Sequence, residues 1–336
     1  MVTLLRDHVA VTGQGAVRST WSRNSVTMPP MTRAVAHTVQ AKVQSIMMLA
    51  EVTTAGLEAP LWFVIVVVAC VPVTIVAMLR LGRWWLSGAP LPLPLDKAWP
   101  LLRWSPAFGF GLFLVMFLAT QLIPQAYLGG KADGLWPWEP LKVPDMFGVG
   151  IFLGQAVPPL LGLAALRFFG RGTAEAAGVR IASLGRGLLA GVAAAAVVLP
   201  LCVLALKVNV ILVVLVGGRP QLHPVLETIG EQPTWGVAAL ALFQAGIMAP
   251  LAEEFVYRGV LMMTLLRHAG PGAALVISSA LFAMVHVMAE PQAVLPLFVL
   301  ALAMGYVAYR TRSLVGPIVT HSLFNSLMVL SAFTTR

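Results

Sequence analysis

Residues 235–266 read WGVAALALFQAGIMAPLAEEFVYRGVLMMTLL, and only Glu253, Glu254 and Arg258 in this stretch are charged. About 20 predominantly apolar residues suffice to cross roughly 30 Å of hydrocarbon, so the stretch predicts a membrane span. An ionisable side chain at that depth costs roughly 2.5–3.5 kcal/mol on insertion scales, so each of the three should have a partner or a task. The rest of the chain agrees with this reading. Of its 336 residues, 59% are hydrophobic and 10% charged, whereas a globular chain carries about a quarter charged residues. So few charges cannot cover a soluble surface of this size. The expected fold is an all-α integral membrane protein, a polytopic bundle of about eight transmembrane helices, because a helix satisfies its own backbone in lipid.

Eight apolar windows carry that expectation: 60–80, 107–128, 147–169, 187–216, 235–266, 272–289, 292–309 and 314–332. The fourth and fifth are long, which predicts tilt, extension beyond the bilayer or a break at Pro200 and Pro250. Lys and Arg concentrate in alternate loops (Arg80, Arg83, Lys97 and Arg103; Arg167, Arg171, Arg180 and Arg186; Arg267; Arg310 and Arg312), which places those loops in the cytoplasm and both termini outside it. Residues 1–58 are polar and lack an apolar signal-peptide core, so they read as a disordered or interfacial extension. The spans divide into a four-span region, 59–234, and a C-terminal core, 235–332. Segments 84–106 and 129–146, rich in Trp and Pro, read as interfacial loops. The pairs Gly150/Gly154 and Gly187/Gly191 allow close helix approach.

The net charge of +9 fits cationic loops of a membrane protein better than a nucleic-acid surface, since no basic stripe with interleaved aromatics is present. Cys70 and Cys202 lie inside apolar runs and read as packing residues, forming neither a disulfide framework nor a CxxC metal knuckle.

Three of the C-terminal spans carry polar groups in a shared pattern. Glu254 and Arg258 are four residues apart and pair on one helix face. Glu253 points about 100° away, which leaves it in need of another partner. His286 follows Phe282 by four residues in the next span, and His321 and Asn325 share a face of the last. One acid and two imidazoles from three helices, with an amide alongside, suit a hydrolytic centre. Glu253 with His286 would deprotonate water, and His321 and Asn325 would donate to an oxyanion. Glu253, His286 and His321 also match a two-His, one-Glu zinc set. A proton- or ion-coupled transporter would use the same residue types at mid-depth, so on these residues alone hydrolase and transporter stand level.

The ordered set Glu253-Glu254 with Arg258, Phe282 with His286, and His321 with Asn325 resembles the EExxxR, FxxxH and HxxxN pattern of the CPBP family of intramembrane endopeptidases, which includes the CAAX prenyl proteases of the Rce1 and Abi type. The resemblance covers about residues 235–332. It implies an eight-helix glutamate-type protease acting on a membrane-associated, CAAX-type peptide. Glu253 and His286 would activate water, His321 and Asn325 would hold the oxyanion, and Glu254, Arg258 and Phe282 would orient the site. It further implies no required cofactor, with zinc as the alternative, and no nucleic-acid partner. A bacterial-type plasma membrane is the expected location. The family also includes immunity and scaffolding members, so a non-enzymatic, partner-binding role is a further alternative. The chain lacks the HExxH, GxSG and GxGD motifs of other intramembrane proteases.

Overall fold

The apolar windows fold as helices, and the described residues contain no strand. The structure is a computed structural model that describes residues 59–87, 105–133, 144–169, 178, 184–221 and 223–335. The extension 1–58 and most of the two Trp- and Pro-rich segments lie outside the described residues.

In chain order the helices are α1 (Leu61–Leu86), α2 (Pro106–Ala132), α3 (Val149–Phe168), α4 (Leu184–Leu215) and the short α5 (Pro224–Glu231). A long run then comprises α6 (Trp235–Phe243), a π turn (Gln244–Met248), α7 (Ala249–Glu254), a second π turn (Phe255–Met262) and α8 (Met263–Met284). Last come α9 (Val294–Thr311) and α10 (Val315–Thr334). Six helical runs are long and apolar enough to cross a membrane, among them the 50 residues Trp235–Met284, and Val149–Ala165 is a shorter apolar helix.

That 50-residue run is interrupted. Gly270 has φ 77° and ψ 169° and precedes Pro271. Glycine tolerates this conformation because it has no Cβ, and the proline ring cannot donate the next helical bond. The fifth and sixth expected spans therefore meet at Gly270, and each of the eight windows has a helix. Neither Pro200 nor Pro250 ends a helix: α4 continues through Pro200, and α7 continues through Pro250 directly after the first π turn.

Helix ends follow local chemistry. Ser105 Oγ accepts from Phe108 N at 3.2 Å ahead of Pro106 in α2, and Thr234 Oγ1 accepts from Val237 N at 3.2 Å ahead of α6. Each supplies one of the acceptors that a helix start lacks.

Helix α4 is central, packing against α1, α9 and α10. Lipid tails give no hydrophobic drive for helices to associate, so close contact and interhelical hydrogen bonds must hold them. Gly187 and Gly191 supply the contact with α10: a Cβ on Gly191 would lie 2.6 Å from Gly316 O, and one on Gly187 2.7 Å from Val315 Cβ. Thr320 Oγ1 donates to Gly191 O at 3.0 Å across the same crossing. The other glycine pair lies where α3 crosses α2, against Tyr127 and Pro124. Leu61, Ile65 and Val68 on α1 are exposed, as expected of a face turned to lipid. Cys202 is buried, donating weakly to Pro296 O at 3.4 Å, and Cys70 is half-buried; both are free thiols.

Candidate active site

The two adjacent glutamates at the end of α7 meet different surroundings. Glu254 is fully buried, whereas Glu253 keeps 30% of its side chain exposed. Arg258, one turn on, is also fully buried, and its Nη1 donates to Glu254 Oε1 at 2.8 Å. Its Nη2 donates to Ala301 O of α9 at 3.1 Å, and the guanidinium lies 4.8 Å from the centre of the Phe282 ring. Removing both ions from water is expensive, and the direct bond with these added contacts offsets only part of that cost, since Glu254 Oε2 and Arg258 Nε are buried with no hydrogen-bond partner among the described residues.

Glu254 has a second partner. His321 Nδ1, from α10, lies 3.0 Å from the same Oε1. An ionised carboxylate can only accept, so Nδ1 carries the proton. The ring's other nitrogen, Nε2, then faces Glu253 Oε2 at 3.9 Å. The chain Arg258–Glu254–His321–Glu253 thus runs from the sealed interior to the more open acid.

Phe282 joins the two histidines. Its carbonyl accepts from His286 Nδ1 at 2.9 Å, which fixes that ring's tautomer and leaves Nε2 as its lone-pair nitrogen. The Phe282 ring lies 5.3 Å from the His286 ring and 5.7 Å, edge-on, from the His321 ring. Tyr257 packs edge-on against Phe282 at 5.1 Å. Asn325, one turn along α10 from His321, donates through Nδ2 to Ala245 O at 2.8 Å. Ala245 sits in the first π turn, where the usual helical bonding register is shifted and a carbonyl can turn to an outside donor.

Glu253, Glu254, Arg258, Phe282 and His321 therefore form one cluster, with His286 held at its edge by Phe282 and Asn325 tied beside it. The structure differs from the sequence reading in two respects. His286 lies in the turn after Met284, where α8 ends, and not within a helix. Glu253 faces His321, and among the described residues no hydrogen bond joins it to His286. Also among the described residues, no three His, Cys, Asp or Glu side chains are grouped to hold a metal ion. Glu254 on His321 Nδ1 leaves Nε2 as the nitrogen that ring could offer to a metal, as in a carboxylate–histidine–metal arrangement.

Two groups outside the expected set lie beside His286. Glu290, one turn further on, has its carboxyl raised to about 7 by burial, an effect partly opposed by a hydrogen bond from the His223 backbone N–H. His223 is lowered to about 4, first by burial and then by electrostatic interaction with His286. Neither was expected at the site from the sequence, because both sit in short connectors with no motif spacing.

Residues 234–327 match the family model of the Rce1-like proteins, type II CAAX prenyl endopeptidases. This part of the chain, the Rce1-like domain, is similar to those endopeptidases. The match begins at Thr234, the residue that caps α6, and ends within α10. Neither a curated protein nor a solved structure matches the chain. All the clustered residues, from Glu253 to Asn325, fall inside the Rce1-like domain, whereas His223 and α1–α5 fall outside it. The family supports a peptide-bond hydrolase of the CAAX-endopeptidase kind in an integral, multi-pass membrane protein.

Proposed function

We propose that the protein is an intramembrane endopeptidase that hydrolyses a membrane-associated, CAAX-type peptide with water activated by Glu253 and His286. The observation that carries this reading is the buried Arg258–Glu254–His321 chain ending at the more exposed Glu253. A structural ion pair needs only Arg258 and Glu254. Coupling the same carboxylate to an imidazole that faces a second acid builds a proton-handling site.

In the proposed reaction Glu253 takes a proton from water as the oxygen attacks the peptide carbonyl. His286 Nε2 accepts a hydrogen bond from the same water, its ring held by the Nδ1–H bond to Phe282 O. The new C–O bond forms as the carbonyl electrons move to oxygen, and the oxyanion takes hydrogen bonds from Asn325 Nδ2–H and His321 Nε2–H. His321 donates from Nε2 as the imidazolium, because Glu254 already holds its Nδ1–H. In that form two carboxylates face two cations, and the cluster buries no net charge. Collapse of the intermediate breaks the C–N bond, the proton held by Glu253 passes to the leaving amine, and a carboxylic acid and an amine result, the acid then giving its proton to Glu253 or water. No metal takes part in these steps. A bacterial-type plasma membrane is the proposed location.

The test is cleavage by purified protein in liposomes, with prenylated and unprenylated C-terminal tail peptides and products identified by mass. The expected result is one internal cut that persists in mild chelators. Activity abolished by chelation and restored by zinc alone would overturn the water-activation scheme. No cleavage of either peptide, together with peptide-independent proton flux, would favour a transporter.

A further inference from the structure

His286 lies beyond the last helical residue of α8, so the helix alone does not fix it. Its carbonyl accepts from Ala289 N at 3.1 Å and Glu290 N at 2.8 Å, which folds residues 286–290 into one turn. That turn is held from outside the Rce1-like domain. Gln221 N donates to Gln292 Oε1 at 3.1 Å, and Gln292 Nε2 donates back to Gln221 O. The His223 N–H bonds the Glu290 carboxyl, and Asn209 Nδ2 from α4 donates to Pro291 O at 2.8 Å. The connector that makes these bonds is anchored at both ends. It leaves α4 on one side, and on the other it enters α5, whose Val225 and Ile229 are buried against Phe147, Val237, Ala241 and Val329.

Gln292 is buried, so its amide, which exchanges bonds with the Gln221 backbone in both directions, carries a penalty if those bonds are broken. A clasp of this kind confines the turn more tightly than its own two backbone bonds would. We propose that the α4–α5 connector is a working part of the active site: its clasp on residues 290–292 holds His286 in position, and Glu290 and Gln292 are positioning residues that act through His286. This inference rests on the proteolytic reading above.

The test compares Glu290→Gln, Glu290→Ala and Gln292→Ala in the full-length protein. Glu290→Gln keeps an oxygen acceptor for the His223 N–H, Glu290→Ala removes it, and Gln292→Ala removes both bonds to Gln221. Two readouts are taken: amide hydrogen exchange over residues 285–292, and kcat and KM separately for peptide cleavage. Exchange should rise in both alanine variants. Their kcat should fall about 10- to 100-fold while KM stays within about threefold, as expected when a reacting group is misplaced and binding is not. Glu290→Gln should remain near wild type in both readouts. Unchanged exchange in the alanine variants overturns the proposal, and so does raised exchange with wild-type kcat. If the wild-type protein cleaves nothing, the proteolytic reading fails by itself, and the exchange readout still decides whether the clasp holds the turn. A non-folding Gln292→Ala leaves the Glu290 pair to decide.

Discussion

Glu253 and Glu254 are covalent neighbours with separate work, and the division follows from their direction around the helix. Glu254 points inward to Arg258 and His321, while Glu253 retains exposure and faces His321 Nε2. Truncating one partner of a buried pair leaves the other charge uncompensated, typically at about 3–5 kcal/mol. Glu254→Ala should therefore lower the thermal unfolding temperature in detergent markedly, whereas Glu253→Gln should not. Equal stability of the two variants would contradict this assignment. The Glu254–Arg258 pair was legible in the sequence because a spacing of four is a local property of a helix. The Glu254–His321 bond was not, since its partners are 67 positions apart and meet only once α10 is packed. The same limit explains Glu253, whose need for a partner could be read but whose partner could not.

At the scale of elements, runs of apolar residues located all eight windows, because lipid imposes a length and a composition on anything that crosses it. The two π turns left no such mark, since a one-residue shift in bonding register leaves the apolar content of the run unchanged. The α4–α10 crossing is a place where element packing meets the site, because α10 carries His321 and Asn325. Gly191→Ala would put a Cβ 2.6 Å from the Gly316 carbonyl oxygen, and overpacking of this kind costs about 1–3 kcal/mol. Gly82→Ala, with nothing within 4 Å of the added carbon, is the matched control. Thermal unfolding of the two should separate them, with loss of stability in the first alone. The connector makes a pH-dependent prediction. The carboxyl of Glu290 is raised from 4.5 to about 7, so the folded state binds more protons than the unfolded state between those values and loses stability as pH rises through them. Glutamine at that position does not titrate. The stability of Glu290→Gln relative to wild type should therefore rise from pH 5 to pH 8, and a flat difference across that window would contradict the burial of Glu290. His223, lowered to about 4, acts in the opposite sense below pH 6.5 in both proteins, and so largely cancels in the comparison.

Across the whole molecule, the Rce1-like domain supplies the clustered side chains, and α4 with the connector after it supplies the clasp. Composition was enough to read the bundle, and the three spaced motifs named the residues of the C-terminal cluster but not which of them pair. The contribution of α4, α5 and their connector was not readable, because Gln221, His223, Glu290 and Gln292 become a unit only through a chain reversal that brings distant loops together. All of these contacts matter for function only if the acid at the open end of the cluster removes a proton from water. Turnover of a membrane-anchored tail peptide by liposome-reconstituted wild type and Glu253→Gln tests that step directly. Loss of a positioned general base should lower kcat by about 10²- to 10⁴-fold with the unfolding temperature unchanged. Cleavage by Glu253→Gln at the wild-type rate would contradict it.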